Sequence, residues 1–378
     1  MGLFSSEPDD HVCGIAIDDY GLRLTTMSCE DRTQSNPAGK EFVSMVAGTE
    51  GDQPSGLDET FVALADSAWP MLNTTSESPI GRALSVRDGY RERLAGLYEA
   101  IDDDGWTDET VLSMPPDYMD SARESVAEAV GDAGFDVRQV VSHDVATSVA
   151  AAVDYEIDSD QYGSHPIVAV DIGFWAVTVT MAAVNLDEGR VRIRGREQVN
   201  AGLVDLLEST AENALADAGV PEDAYDAVTT ASMHPLVREV FDPTTDSATG
   251  TVQIGAERLQ VRVGTEHLID LLADVVSVAE SFATELALEA GYTPREIHNV
   301  LISGFGAEGA SGTDLAGQFA GRFTSDESVA AQVGSGYAPE QVYYGSMTPD
   351  VGAADIAREA RDLDHDIQVL ETLDVEAS

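Results

Sequence analysis

The stretch Pro166–Val184, PIVAVDIGFWAVTVTMAAV, decides how the rest of the chain is read. Pro166 to Val170 is a continuous apolar run of the kind found in strands covered on both faces. It ends in Asp171-Ile172-Gly173, and Ala176 to Val184 then resumes as a second β-rich run. A glycine two residues after a strand-end aspartate lets backbone N–H groups approach a phosphate closely. The aspartate suits a hydrated Mg²⁺ beside that phosphate. Ordinary β-hairpins also carry Asp and Gly at the turn, so the meaning of this one depends on its neighbours.

Working outward, Val12–Met27 (VCGIAIDDYGLRLTTM) also reads as strand, acidic turn, strand, with Asp18, Asp19, Tyr20, Gly21 and Leu22 at the turn. Thr110–Met114 is a short strand ending in Pro115-Pro116, followed by a helix over 120–131. Val137–Val141 is a strand, and Asp144–Val153 an alanine-rich helix. After the opening stretch come an amphipathic helix over 202–218, a β patch over 251–263 and a long helix over 266–290 ended by Gly291. Asn299–Ser303 is a buried-type strand running into Gly304-Phe305-Gly306. Helices over 313–322 and 353–373 complete the chain. The last carries Ile356, Ala360, Leu363, Ile367 and Leu370 in a short coiled-coil-like seam that suits docking on its own domain or a filament contact. Strand-turn-strand units thus alternate with strand-helix units in two similar halves, residues 12–153 and 166–322, which predicts an α/β fold.

The 378 residues carry 69 Asp+Glu against 20 Lys+Arg, for a net charge of −49, and Lys40 is the only lysine. Such a surface stays soluble when molar salt screens it, so the acidity reports a salt-rich solvent. It argues against nucleic-acid binding, which needs basic stripes. The one cluster, Arg190, Arg192, Arg194 and Arg196, alternates so as to place all four on one face of a solvated edge strand. No run reaches the roughly 20 apolar residues of a membrane span. Cys13 and Cys29 make neither a disulfide framework nor a zinc site and read as reduced packing residues of a cytoplasmic protein.

Three loops therefore stand in order: IAIDDYG (15–21), VAVDIGF (168–174) and VLISGFG (300–306). With Thr110–Ala152 and Glu266–Gly306, this order resembles the actin-like ATPase superfamily, which includes actin, bacterial rod-shape actin homologues, sugar kinases and the heat-shock chaperone ATPase domain. The acidic composition and the length are most similar to haloarchaeal actin homologues. The resemblance implies two ribonuclease H-like domains flanking a nucleotide cleft: residues 1–155 (small insertion about 31–100) and 156–345 (insertion about 205–265). Residues 346–378 would pack back on the first domain.

It further implies ATP and Mg²⁺ as ligands. Asp18 and Asp171 would hold the metal, mostly through waters. Asp19, Tyr20, Gly21 and Leu22 from one loop, and Gly173, Phe174 and Trp175 from the other, would cradle the phosphates. Gly304, Phe305 and Gly306 would pack against the adenosine, with Gly202 near the ribose. Relatives place a Glu or Gln at the start of the connecting helix to orient the attacking water; this chain has His143 and Asp144 there. Tyr20 stands where relatives carry glycine, and Phe174-Trp175 where they carry small or hydroxyl residues. The function implied is a cytoplasmic cytoskeletal ATPase that stacks head to tail with itself. The alternative is a non-polymerising, chaperone-like or reactivase-like switch of the same fold.

Overall fold

Strand β6 of the second sheet (His165–Ile172) is buried along its whole length, as its unbroken apolar run demands. It lies at the centre of a computed structural model that describes residues 11–17, 22–29, 34–35, 94–95, 98, 109–116, 118, 120–154, 164–173, 176–221, 233, 236–237, 239–240, 246–254, 257–303, 315–325, 328–332, 336–344, 349–363 and 365–371. The architecture is mixed α/β.

The first sheet joins β1 (His11–Ile17), β2 (Leu22–Ser28), β3 (Gln34–Ser35), β4 (Thr110–Met114) and β5 (Val137–Ser142) in the order β3-β2-β1-β4-β5. The β1/β2 and β2/β3 pairs are antiparallel, whereas β1/β4 and β4/β5 are parallel. The second sheet contains β6, β7 (Val177–Asn185), β8 (Arg190–Val199), β11 (Asn299–Ser303), β12 (Val342–Tyr344) and β13 (Gln368–Glu371). From β8 it reads β8-β7-β6-β11-β12, again with three antiparallel strands followed by two parallel to the central one. The two sheets therefore share one strand order and one pattern of directions, and β13 extends the second beyond β8. A separate hairpin is formed by β9 (Ser247–Ile254) and β10 (Glu257–Gly264), so the β patch expected over 251–263 is two strands.

Among the described residues, the helices longer than one turn are α1 (Asp120–Asp132), α2 (His143–Asp154), α3 (Leu203–Asp217), α4 (Glu266–Glu289), α5 (Leu315–Phe323) and α6 (Pro349–Leu363). Helix α6 packs on β1, β2 and β4, α2 packs on β6, β7 and β11, and the two helices pack on each other. The order of layers is sheet, α6, α2, sheet. Helix α4 contacts β6, β7 and β8 of the second sheet and also packs against α3.

Glycine makes this close stacking possible. A Cβ on Gly14 of β1 would lie 2.0 Å from the Asp350 carbonyl oxygen in α6. One on Gly352 would lie 2.0 Å from the Ala146 carbonyl oxygen in α2. Backbone, not a flexible side chain, occupies both spaces. Gly352→Ala is expected to cost about 3 kcal/mol, the upper end of overpacking penalties, read as a lower denaturant midpoint at unchanged slope. An unchanged midpoint would mean that α2 and α6 do not pack so tightly.

Thr25 donates to Asp350 Oδ2 at 2.7 Å, fixing the acidic first turn of α6 against β2. Nearby, Cys13 is fully buried, and burial pushes its thiol up to about 12. It stays protonated at neutral pH and is a poor nucleophile. Cys29 is partly exposed. Native protein treated with iodoacetamide at pH 8 is expected to be labelled at Cys29 and spared at Cys13. Equal labelling by peptide mass spectrometry would show that β1 opens to solvent.

Two expectations are corrected. The final helix ends at Leu363, and Gln368–Glu371 leaves it to become β13. The proposed seam is thereby broken: Ile356 and Ala360 are buried by α6, whereas Ile367 and Leu370 lie beyond it. Asp364-His365-Asp366 is poor helix material, and β8 offers unpaired backbone groups to the segment that follows. The C-terminal elements accordingly serve both sheets, with α6 (Pro349–Leu363) on the first and β13 (Gln368–Glu371) in the second.

The second correction concerns the four arginines. They neither share one face nor sit on an edge strand, since β13 lies outside β8. Met181 pairs with Gly195 but Ala182 pairs with Ile193, leaving Arg194 as an extra residue. One extra residue reverses the side-chain parity beyond it. Arg190 and Arg192 point outward, and Arg196 is turned inward with Ile193.

Candidate functional site

Strands β1, β4 and β5 are parallel, so their C-terminal ends Ile17, Met114 and Ser142 lie at one end of the first sheet. In the second sheet the parallel pair β6 and β11 end beside each other, with Ser303 in register with Asp171. Helix α2 starts directly after β5 and runs onto β6, β7 and β11. Its first residue therefore stands where the strand ends of both sheets meet. In α/β proteins ligands gather outside such carboxyl ends.

His143 is that residue. It is 1% exposed, and its Nδ1 lies 3.8 Å from Asp171 Oδ1. That exceeds hydrogen-bond distance. Asp171 is 2% exposed, and among the described residues its Oδ1 has no hydrogen-bond partner. A buried carboxylate oxygen without a donor is costly and calls for an explanation such as an ion or ordered water. The carboxylate and its position fit a hydrated Mg²⁺, which takes one or two protein carboxylates and keeps several waters. Just beyond, Gly173 N–H donates to Ala176 O at 2.9 Å and closes the turn after β6.

Asp144, next to His143, is fully buried and differently engaged. Its Oδ2 accepts Thr180 Oγ1 at 2.6 Å, Arg196 Nη2 at 2.7 Å and Arg196 Nε at 3.0 Å. Its Oδ1 accepts the Val145 N–H at 3.0 Å. Burial raises its carboxyl, but the Arg196 charge and the bonds from Ser142, Thr180 and Arg196 outweigh this and hold it below the ordinary carboxylate range. Both oxygens are thus occupied by protein groups. Asp144 fixes the first turn of α2 to β7 and β8, and His143 is the residue of that turn that faces Asp171. A second chain of contacts runs from the His143 carbonyl to Thr147 Oγ1 (2.7 Å) and on to Ser303 Oγ (3.2 Å).

Among the sequence candidates, the structure brings together His143, Asp144 and Asp171, with Gly173 immediately after. Leu22 begins β2 opposite Ile17, beside the first loop. Gly202 has no described contact with this cluster; its N–H donates to Asp205 Oδ2 at 2.8 Å, capping α3. Asp18, Asp19, Tyr20, Gly21, Phe174, Trp175, Gly304, Phe305 and Gly306 lie outside the described residues, as do the metal-ligand role of Asp18 and the adenosine turn. The sequence reading missed Ser142, Thr147, Thr180, Arg196 and Ser303. One signal was present: Thr178 and Thr180 alternate within an otherwise apolar strand, which marks a polar spot on a buried face.

Among the described residues, no group of three or more His, Cys, Asp and Glu converges to hold a metal. Among the described residues, no helix is long and apolar enough to cross a membrane. Compared with known proteins, the chain matches no family model and no curated protein. The class that fold and site define is accordingly a mixed α/β protein with a buried His–Asp pair where two similarly ordered sheets meet.

Proposed function

We propose that this chain is an actin-like ATPase that binds Mg²⁺–ATP between its two sheets and assembles head to tail with itself in a salt-rich cytoplasm. The observation that carries the reading is Asp171. It is a buried carboxylate with an oxygen that has no donor among the described residues, at the end of a central strand and facing the start of the helix that packs on both sheets' strands. The shared strand order and the paired central helices α2 and α6 support the same reading.

Asp171 and Asp18 would hold the hydrated metal, and the loops that follow β1 and β6 in sequence would cradle the phosphates. When bound, Mg²⁺ neutralises charge on the β- and γ-phosphates. The chain's own part is mainly positioning, as in phosphoryl transfer generally. His143 orients the water that attacks the terminal phosphate. Asp144, pinned by Arg196, keeps His143 at its place on α2. Gly304-Phe305-Gly306, next in sequence after β11, would meet the adenosine. The excess of carboxylates elsewhere disfavours nucleic acid as a partner.

Light scattering and electron microscopy in molar KCl, with and without Mg²⁺–ATP, test this. Filaments are expected only with ATP and only above a threshold concentration, because a head-to-tail contact does not close. Nucleotide binding without assembly would favour the non-polymerising switch. No nucleotide binding would overturn both readings.

A further inference from the structure

We propose that the outward face of β8 is a docking surface for the carboxylate-rich surface of a second copy of this chain. The proposal deepens, and rests on, the reading of the chain as self-assembling. Arg190, Arg192 and Arg194 are all exposed there and line a groove of about 180 Å³ together with Asn185, Glu188 and Leu370. The bulge that turns Arg196 inward leaves Arg194 with this outward group.

Charge separates this groove from the rest of the surface. Carboxylates outnumber basic residues 69 to 20 along the chain. Arg190 has found one, donating to Glu188 Oε2 at 2.7 Å. Arg192 and Arg194 make no hydrogen bond or ion pair among the described residues. Two adjacent guanidiniums without a carboxylate, in so acidic a chain, present planar donors to an external one. The neighbouring surface fits an extended segment. Leu370 of β13 is in register with Arg192 and is 39% exposed. Among the described residues, β13 is the outermost strand of its sheet, the kind of edge to which an extended segment pairs.

The occupant follows from complementarity. At a net charge of −49, a second copy brings carboxylates on almost any face it presents. The same charge repels a nucleic-acid backbone from everything around the groove. Molar salt relieves the long-range repulsion between copies while close, bidentate Arg–carboxylate contacts survive.

The test compares wild type with R192E/R194E and with the milder R192Q/R194Q, all at exposed positions where folding is not at stake. Light scattering gives the critical concentration with Mg²⁺–ATP, and calorimetric titration gives ATP affinity separately. Charge reversal is expected to raise the critical concentration roughly tenfold or more, with glutamine in between and ATP affinity unchanged. An unchanged critical concentration overturns the docking surface and leaves self-assembly standing. A wild type that binds ATP yet stays monomeric at every concentration overturns both. A poly-glutamate peptide or a single-stranded oligonucleotide that binds wild type but not R192E/R194E, with assembly unaffected, assigns the groove to another anionic partner and overturns the second copy.

Discussion

Asp171→Asn is expected to lower Mg²⁺-dependent ATP affinity roughly a hundredfold, the upper range for disturbing groups that hold a metal's shell. The apoprotein is expected to melt at the same temperature or slightly higher. These opposite signs come from one cause. Without a ligand, Asp171 is a buried carboxylate with an oxygen that no described donor reaches, and His143 Nδ1 stands 3.8 Å off. Removing that charge relieves a desolvation cost of about 1 kcal/mol or more. With a metal present, the same charge is what the site offers. Strain of this kind is stored at functional positions at the expense of stability. Calorimetric titration with Mg²⁺ and with EDTA, plus a melting curve without nucleotide, reads both effects. Unchanged Mg²⁺–ATP affinity would sink the placement of the site; a large loss of apoprotein stability would make Asp171 a structural residue.

Arg196→Met is expected to destabilise the fold by about 3–5 kcal/mol at neutral pH, the usual cost of stranding one partner of a buried ion pair. Asp144 is fully buried and would keep its charge with only Thr180, Ser142 and the Val145 N–H to face it. The pH dependence has a definite sign. In the wild type the carboxyl is held below its ordinary value near pH 4. Its stabilising contribution is therefore complete above that value and is lost only as pH falls through the depressed one. In the variant, burial dominates and raises the same carboxyl. Asp144 then protonates on mild acidification, and the stability gap between the two proteins narrows as pH falls. Adding Asp144→Asn to Arg196→Met is expected to restore more than half of the loss, because no buried charge remains. Denaturant unfolding at pH 7 and pH 4.5 measures all of this. A gap that does not narrow on acidification would mean that Arg196 acts through packing of its alkyl stem.

How much of this was legible beforehand differs by feature. The strands 110–114 and 299–303 and the helix over 266–289 follow from local pattern, since apolar runs and 3.6-residue periodicity are properties of contiguous residues. Asp171 and His143 were legible as candidates because each stands at a strand-to-loop or strand-to-helix boundary. What Asp144 does was not legible. Its partners Thr180 and Arg196 are 36 and 52 residues away, and nothing local distinguishes a carboxylate bound by an arginine from one facing a cleft. The position of Arg196 depends on a register shift between β7 and β8, which alternation within β8 alone reads with the wrong parity.

The sequence by itself determined the α/β alternation and the strand ends that carry Asp171 and His143, because burial on both faces of a strand and on one face of a helix is written into neighbouring residues. Only the tertiary structure decided that 368–371 is a strand, that Arg196 turns inward, and that Arg192 and Arg194 are left exposed with no carboxylate partner among the described residues. Each of those outcomes depends on which distant backbone edge or charge the chain meets when the two sheets close around α2 and α6. Such pairings are long-range, and no window of local sequence contains both partners.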